Sequence, residues 1–154
     1  MSTLAIYFTG GSSNHYRGGL IGTAQATYGV DTVFPAITQQ QAKDGITQYA
    51  CVCVKNISPV TANDVGVYIS QAPSVGTLYI AKGLTGKNST TEQVIANQET
   101  PPTGSLVFYE PSFDYDTVNI GTLNAGDFHH IWMKLVTQAN SPGDAFKFSI
   151  KAVS

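Results

Sequence analysis

The sequence predicts an all-β domain: an antiparallel two-sheet β-sandwich, jelly-roll-like, with a glycine-rich arm near its N-terminus. Short apolar runs recur roughly every 10 to 15 residues with turn residues between them, which is typical of sandwiches and barrels. No long window shows the period of about 3.6 residues that marks an amphipathic helix. The chain of 154 residues is long enough for one domain with its own core, so it needs no disulfide framework.

Residues 1–45 of this single domain (1–154) are predicted to hold the arm and the first strand. The apolar run 4–8 suits a strand. Residues 10–19 contain four glycines, which favour neither helix nor strand, so we interpret them as a loop or as an arm ordered by a neighbouring molecule. Residues 38–43 have weak helical character, which Gly45 ends.

Residues 46–154 are predicted to form the body of the sandwich. Residues 48–56 are apolar on both faces, which indicates a central strand covered on both sides. Trp132, within the apolar run 128–136, is expected to fill the core between the two sheets. The other predicted elements are strands at 64–70, 77–81, 117–120 and 146–151, an exposed loop at 83–91 and a tight turn at 124–127.

The composition argues against nucleic acid and membranes as partners. Only 12% of the residues are charged, the net charge is −2, and Arg17 is the single arginine. Binding to a polyanion needs clustered lysines and arginines, which this chain lacks. No apolar stretch approaches about 18 residues, so we expect no transmembrane segment. The N-terminal residues lack the basic and apolar regions of a secretory signal, so we expect none.

The two cysteines, Cys51 and Cys53, are predicted to be buried and unpaired. On a strand they point to the same face, with Cβ atoms too far apart for an unstrained bridge. A zinc site would need two further ligands, and His129 and His130 are neighbours that would face opposite ways. We therefore predict no metal and no cofactor.

No cluster of residues predicts an enzyme. Glu110, Asp114 and Asp116 lie close together in sequence, but they match neither a glycosidase pair nor an EF-hand loop. A solvated loop is the favoured interpretation, with calcium in a lectin-like loop as the alternative. A small hydrolase using Asp127 and the adjacent histidine pair is retained only as a third hypothesis, because no nucleophile can be placed beside them.

Five stretches spread through the chain carry recognisable motifs. They are IYFTGGSSN (6–14) with GGLI (18–21), GITQYACVCVKN (45–56), VYIS (67–70) with PS (73–74), IANQETPPTG (95–104), and IGTLNAG (120–126) with IW (131–132). In this order they resemble a family of small virion proteins of tailed bacteriophages, whose motifs read YYLSGGxxN…LGGxIS, GxTEYRCIYVKN, VWISxxTPS, IANExTAPxG and IGxLxPGxxxxIW. Where that family tends to carry basic residues after the tryptophan, this chain has Met133, Lys134 and Leu135.

The resemblance implies a structural role in a virion and supplies no catalytic residues. Some small β-domains of this kind are capsid decoration, or cement, proteins. We therefore expect a homo-oligomer that binds the major capsid protein on the surface of a virion assembled in the host cytoplasm. The residues expected to make this contact are Gly10, Gly11, Ser12, Asn14, Tyr16, Arg17, Gly18, Gly19 and Leu20.

The alternative function is a tail or fibre component, or a carbohydrate-binding module for attachment to the host. If residues 10–20 form an arm, removal of residues 2–19 is expected to weaken attachment while leaving the fold soluble.

Overall fold

The structure is a computed structural model that describes residues 3–10, 16–26, 34, 37–71, 76–111, 117–139 and 147–153, with the backbone alone described for 24–26 and 147–153. The strands are β1 (Leu4–Thr9), β2 (Ile21–Ala26), β3 (Ile46–Asn56), β4 (Ala62–Gln71), β5 (Thr77–Lys87), β6 (Val118–Leu123), β7 (Phe128–Thr137) and β8 (Lys147–Val153). A short helix, α1 (Gln39–Asp44), precedes β3. Within these ranges, no helix is long and apolar enough to cross a membrane.

The strands pair antiparallel throughout and form two sheets. One sheet has five strands in the order β2-β1-β3-β7-β5, and the other has three strands in the order β6-β4-β8. The longest ladder joins β3 to β7, from Ile46 opposite Thr137 to Lys55 opposite Phe128. The predicted fold class, an antiparallel two-sheet β-sandwich, is confirmed.

The main core lies between the two sheets. Alternation along each strand sends every second side chain into this space. From the five-stranded sheet come Ile6, Ala50, Val52, Val54, Leu78, Ile80, Ile131, Met133 and Leu135, and from the three-stranded sheet come Ala62, Val65, Val67, Ile69, Val118, Ile120 and Leu123, all of them buried.

A second, smaller core covers the opposite face of the five-stranded sheet. Cys51, Ala81 and Trp132 form one row across β3, β5 and β7, and Ile95 packs on them from a long connection. β3 is therefore covered on both faces, as predicted. Trp132 is fully buried, but its expected place between the sheets is wrong: it lies in this second core, because Ile131 and Met133 take the inward face of β7.

Local sequence signals locate α1 and one turn correctly. Thr38 caps α1: its Oγ1 accepts from the backbone N–H of Gln41, and the Gln41 side chain accepts from the N–H of Thr38. The turn before β7 closes with a 3.0 Å hydrogen bond from the N–H of Asp127 to the carbonyl of Asn124. The predicted exposed loop at 83–91 is wrong in its first half, because β5 stays paired with β7 as far as Lys87 through a bulge.

The N-terminal region belongs to the five-stranded sheet. β1 lies between β2 and β3, and Ile6 on β1 is almost fully buried. Removing residues 2–19 would take away a whole strand and part of the main core, so the expectation that the fold survives this deletion does not agree with the structure. Within the glycine-rich stretch, the described residues 16–20 lie against the sheet and do not form a separate arm.

Candidate functional site: the cover layer and the groove beside it

Three irregular segments form what we call the cover layer, residues 16–20, 89–99 and 103–109, over the outer face of the five-stranded sheet. The first two segments are joined edge to edge. The carbonyl of Arg17 accepts from the N–H of Ile95 at 2.9 Å, and the N–H of Gly19 donates to the carbonyl of Gln93 at 3.1 Å. The third segment adds Leu106 and Phe108 to the second core.

The cover layer completes hydrogen bonds that β3 would otherwise lack. The ladder between β1 and β3 ends at Tyr7 opposite Cys53, so Cys51 on β3 has no partner on β1. Its N–H donates instead to the carbonyl of Tyr16 at 2.7 Å. Thr9 Oγ1 donates to the carbonyl of Cys51 at 2.9 Å and accepts from the N–H of Gly18 at 3.1 Å. These contacts satisfy buried backbone groups, so they fix residues 16–18 to the sheet.

Gly18 lies close against the indole of Trp132. It has a φ of +97°, and a Cβ atom there would be 3.0 Å from the indole ring and in collision with the carbonyl oxygen of Gln93. Only glycine fits this close approach. The paired glycines that the sequence suggested as an arm thus include a residue that packs on the second core.

A buried polar cluster lies beneath the same segment. Trp132 Nε1 donates to Glu92 Oε1 at 3.1 Å, and Thr85 Oγ1 donates to Glu92 Oε2 at 3.3 Å. His130 Nε2 is 2.6 Å from the carbonyl oxygen of Gly19, whereas Nδ1 of the same ring has no hydrogen-bond partner within the described part of the chain.

Burial shifts the pKa values of His130 and of the two nearby cysteines toward the uncharged forms. It raises the pKa of the Cys51 thiol well above its ordinary value, with smaller contributions from Cys53 and Glu92, and it also raises the pKa of Cys53. Burial lowers the pKa of His130, so the neutral ring carries its proton on Nε2 and donates it to Gly19. Both cysteines stay as thiols, which are poor nucleophiles and poor metal ligands.

The residues of the hydrolase hypothesis do not converge. His129 lies opposite Val54 on the main-core face of β7, and its Nδ1 is 2.8 Å from the carbonyl oxygen of His130. Asp127 accepts from Asn88 Nδ2 at 2.9 Å, and this hydrogen bond is the main cause of its lowered pKa. Asp127 is therefore a turn carboxylate. Among the described residues, no group of three or more His, Cys, Asp or Glu side chains could hold a metal ion.

Arg17 lines a polar pocket at one end of the cover layer. Its Nη1 donates to the carbonyl of Ala96 at 2.8 Å. The pocket has a volume of about 320 Å³, and its other lining residues are Gln41, Ile46, Gln48, Asn97, Gln98 and Glu99. Amide, guanidinium and carboxyl groups in one concave site are suited to a ligand that offers many hydroxyl groups.

A larger groove opens between the edges of the two sheets. It has a volume of about 530 Å³ and is lined by Lys82, Gly83, Leu84, Ser105, Val107, Tyr109, Thr117, Val118 and Asn119. β5 is an edge strand of the five-stranded sheet and β6 an edge strand of the three-stranded sheet, so this groove lies at one edge of the sandwich.

Exposed apolar side chains concentrate on the cover layer and this groove. Seven large apolar side chains are exposed within the described ranges, and five of them lie here: Leu20, Leu84, Val94, Val107 and Tyr109. The other two, Ile57 and Val60, lie in the β3–β4 connection. Exposed apolar side chains that lie close together, as Leu84, Val107 and Tyr109 do in the lining of the groove, are typical of a protein interface.

The structure describes six of the nine predicted contact residues. Gly10 donates its N–H to the carbonyl of Leu20, Tyr16 is buried against Phe8 with ring centroids 4.6 Å apart, and Gly18 and Gly19 are held as described above. Of the six, Leu20 is 56% exposed, and Arg17 lines the polar pocket. Gly11, Ser12 and Asn14 lie outside the described residues, as do Asp114 and Asp116.

Sequence reasoning missed Val94, Val107 and Tyr109. Each is a single apolar residue in a polar or proline-rich stretch, where no alternation indicates whether it faces a core or solvent.

Comparison with known protein families, with curated proteins and with solved structures finds no match to this chain.

The two buried histidines predict a loss of stability in mild acid. Burial lowers the pKa of His129 and of His130 in the fold, so below about pH 6.5 the unfolded chain binds protons that the folded chain does not. The unfolding free energy should therefore fall with decreasing pH, by up to about 1.4 kcal/mol per pH unit for each histidine. Urea denaturation across the range from about pH 7.5 to 5 measures this slope.

His130→Gln is the informative variant for this prediction, because the glutamine amide can still donate to the carbonyl of Gly19. Its slope should be about half that of the native protein. The lowered pKa of Asp127 acts at lower pH, since that carboxylate contributes stability above its ordinary pKa and loses it as the pH falls through its folded value. An unchanged slope in His130→Gln would contradict the assignment.

Proposed function

We propose that this chain is a non-enzymatic structural protein of a bacteriophage virion: a capsid decoration protein that binds and stabilises the shell of the major capsid protein. The observation that carries the proposal is the exposed apolar group on the cover layer, including Leu20 and Val94, on a domain of low charge. Such a surface suits contact with another protein better than contact with a polyanion.

The positions of the family-like stretches support this proposal. The stretches 18–21 and 95–104 are far apart in sequence, but they run side by side in the cover layer. Gly18 pairs with Val94, the residue before the second stretch, and Arg17, the residue before the first, bonds to Ile95 and Ala96. Two of the stretches that resemble the virion family thus border the same exposed surface.

The energetics of a shell suit a modest surface of this kind. A decoration protein binds a symmetric lattice in many copies, and a homo-oligomer engages several sites at once. Its overall affinity can then exceed that of each contact by orders of magnitude, so a few apolar side chains per copy are sufficient.

The test uses charged substitutions on the cover layer, because deletion of residues 2–19 would remove β1. Leu20→Asp and Val94→Asp should each weaken binding to undecorated shells of the phage that carries this protein, by about tenfold, as expected for central interface residues. The matched control is Val60→Asp, at a residue 41% exposed in the β3–β4 connection. Co-sedimentation with shells measures the affinity.

Electron cryo-microscopy of the intact particle gives the location directly. Density for a β-sandwich repeated across the shell supports the proposal. Density confined to the tail, or equal shell binding by all three variants, contradicts it.

The polar pocket favours one alternative: a tail or fibre component with a carbohydrate-binding site for host attachment. Arg17 and the surrounding amides offer the planar hydrogen-bonding groups that recognise sugar hydroxyls. A glycan array with and without calcium tests this function. Saccharide binding that is lost in Arg17→Met, with tail density in the particle, would replace the decoration proposal.

A further inference from the structure

The groove between β5 and β6 lies where the pairing of β5 with residues 107–109 of the cover layer stops. Ile80 on β5 and Tyr109 of the cover layer exchange two backbone hydrogen bonds, of 2.7 and 2.8 Å, in an isolated antiparallel bridge. In a continued ladder the next pair would be Lys82 with Val107. That pair does not form, and both residues line the 530 Å³ groove.

Within the described residues, the edge of β5 is consequently unpaired at Lys82. Backbone groups alternate along a strand, so the N–H and C=O of Lys82 face the same way as those of Ile80, away from β7. No backbone bond to these two groups is present among the described residues. An unpaired strand edge can accept an extended segment from another chain.

The walls of the groove specify the chemistry of such a segment. Leu84, Val107 and Tyr109 supply exposed apolar surface. Lys82 is the one charged residue among the described lining residues, and it forms no ion pair within the described part of the chain. A lysine beside an apolar groove complements a segment that carries a carboxylate between apolar side chains.

We propose that this groove binds an extended segment of a partner protein, which adds to the edge of β5 and places an aspartate or glutamate opposite Lys82 and an apolar residue opposite Leu84. The two partner residues are two positions apart, because side chains on one face of a strand alternate. The inference concerns the groove alone and does not depend on the virion assignment, so either can fail without the other.

Lys82 also has a defined electrostatic setting. Its ammonium group contributes to the lowered pKa of His129, whose ring is buried on the same face of the sheet. The Lys87 ammonium, 3.5 Å from Asp127, is already paired. Lys82 is therefore the cation of β5 that is left for a carboxylate from outside.

The test uses labelled peptides of alternating pattern, Ω-Thr-Glu-Thr-Ω, in which Ω is Val, Ile, Phe or Tyr, and a matched set with Gln in place of Glu. Fluorescence anisotropy against the full-length protein should show binding by members of the Glu set, about fivefold tighter than by their Gln counterparts, as a cross-strand ion pair provides. Lys82→Met should abolish this preference. Lys43→Met, at an exposed lysine on α1, should leave it unchanged.

A second measurement separates strand addition from simple binding of an apolar acid. N-methylation of the peptide's backbone amides should abolish binding, and hydrogen exchange at the amide of Lys82 should slow in the complex. Leu84→Ser should weaken both peptide sets. The proposal is overturned if no peptide binds at millimolar concentration, or if the Glu and Gln sets bind equally. It is also overturned if the N-methylated peptide binds as tightly as the unmethylated one. If Lys82→Met instead abolishes self-association, a second copy of this chain occupies the groove, and the proposal is again overturned.

Discussion

Replacement of Gly18 by alanine is expected to cost about 2 to 5 kcal/mol of unfolding free energy and to loosen residues 16–20 from the sheet. Two effects combine at this position. The φ of +97° is unfavourable for any residue with a Cβ, and the Cβ itself would collide with the carbonyl oxygen of Gln93 and press on Trp132. Relief of the collision requires the chain to move away from the second core.

Gly126→Ala is the matched control for this substitution. Gly126 has a φ of +83°, close to that of Gly18, but nothing lies within 4 Å of its added Cβ. It should therefore show the backbone cost alone, about 1 to 2 kcal/mol. The difference between the two variants isolates the effect of the close approach to Trp132.

Chemical denaturation and amide hydrogen exchange measure the two parts of the prediction. The Gly18→Ala variant should lose protection at the amides of Gly19, Cys51 and Ile95, whose hydrogen bonds depend on this segment. Equal costs for Gly18→Ala and Gly126→Ala, with protection unchanged, would show that the segment does not rest on the second core as described.

Sequence predicts correctly the elements that depend on neighbouring residues alone, such as a helix cap or an apolar pattern within one strand. α1 follows from Thr38 and Gln41, which cap the helix three residues apart, and from Gly45, which ends it. The central position of β3 follows from apolar residues on both of its faces. Neither inference requires knowledge of which strand lies beside which.

The side of the sheet that Trp132 occupies depends on distant parts of the chain. Alternation places Trp132 on one face of β7 and Ile131 with Met133 on the other, and both faces are apolar. Only the packing of β4 and β6 decides which face meets the second sheet. A single strand carries no information on this choice, so the prediction of a sandwich was correct and the location of Trp132 was not.

The groove and the exposed apolar residues were hidden for the same reason. Leu84 lies in a glycine-rich polar stretch that resembles a loop, and it is in a strand because β5 pairs with β7. Which strands lie at the edges of the sheets is a property of the pairing order, and the position of the groove between β5 and β6 follows from that order. Tertiary pairing overrides local propensity in such positions.

Trp132→Ala is expected to be the most destabilising single substitution in the second core, at about 3 to 5 kcal/mol. The indole is fully buried and packs with Cys51, Ala81 and Ile95, so its removal leaves a large cavity. It also removes the hydrogen bond that Nε1 donates to Glu92, a buried carboxyl group. Denaturant melts with unchanged m-values would report the combined loss.

Trp132→Phe separates the hydrogen bond from the packing. It keeps most of the aromatic surface but leaves Glu92 Oε1 without its donor, which should cost about 1 to 3 kcal/mol. Adding Glu92→Met to Trp132→Phe removes the other partner with a side chain of similar length. Since replacing both partners by apolar groups can be nearly neutral, the double variant should be more stable than Trp132→Phe alone.

The relative stabilities of Trp132→Ala, Trp132→Phe and the double variant show which contacts attach the cover layer to the sheet. If the double variant recovers stability, the polar contact between Glu92 and Trp132 is a requirement imposed by burial, and the apolar contacts of the indole supply most of the attachment. If Glu92→Met lowers stability further in the Trp132→Phe background, the carboxyl group contributes through Thr85 as well, at 3.3 Å, and it anchors the layer to β5 independently of the indole. A Trp132→Ala protein that loses less than about 1 kcal/mol would contradict both accounts, because a buried indole cannot be removed from a packed core at so small a cost.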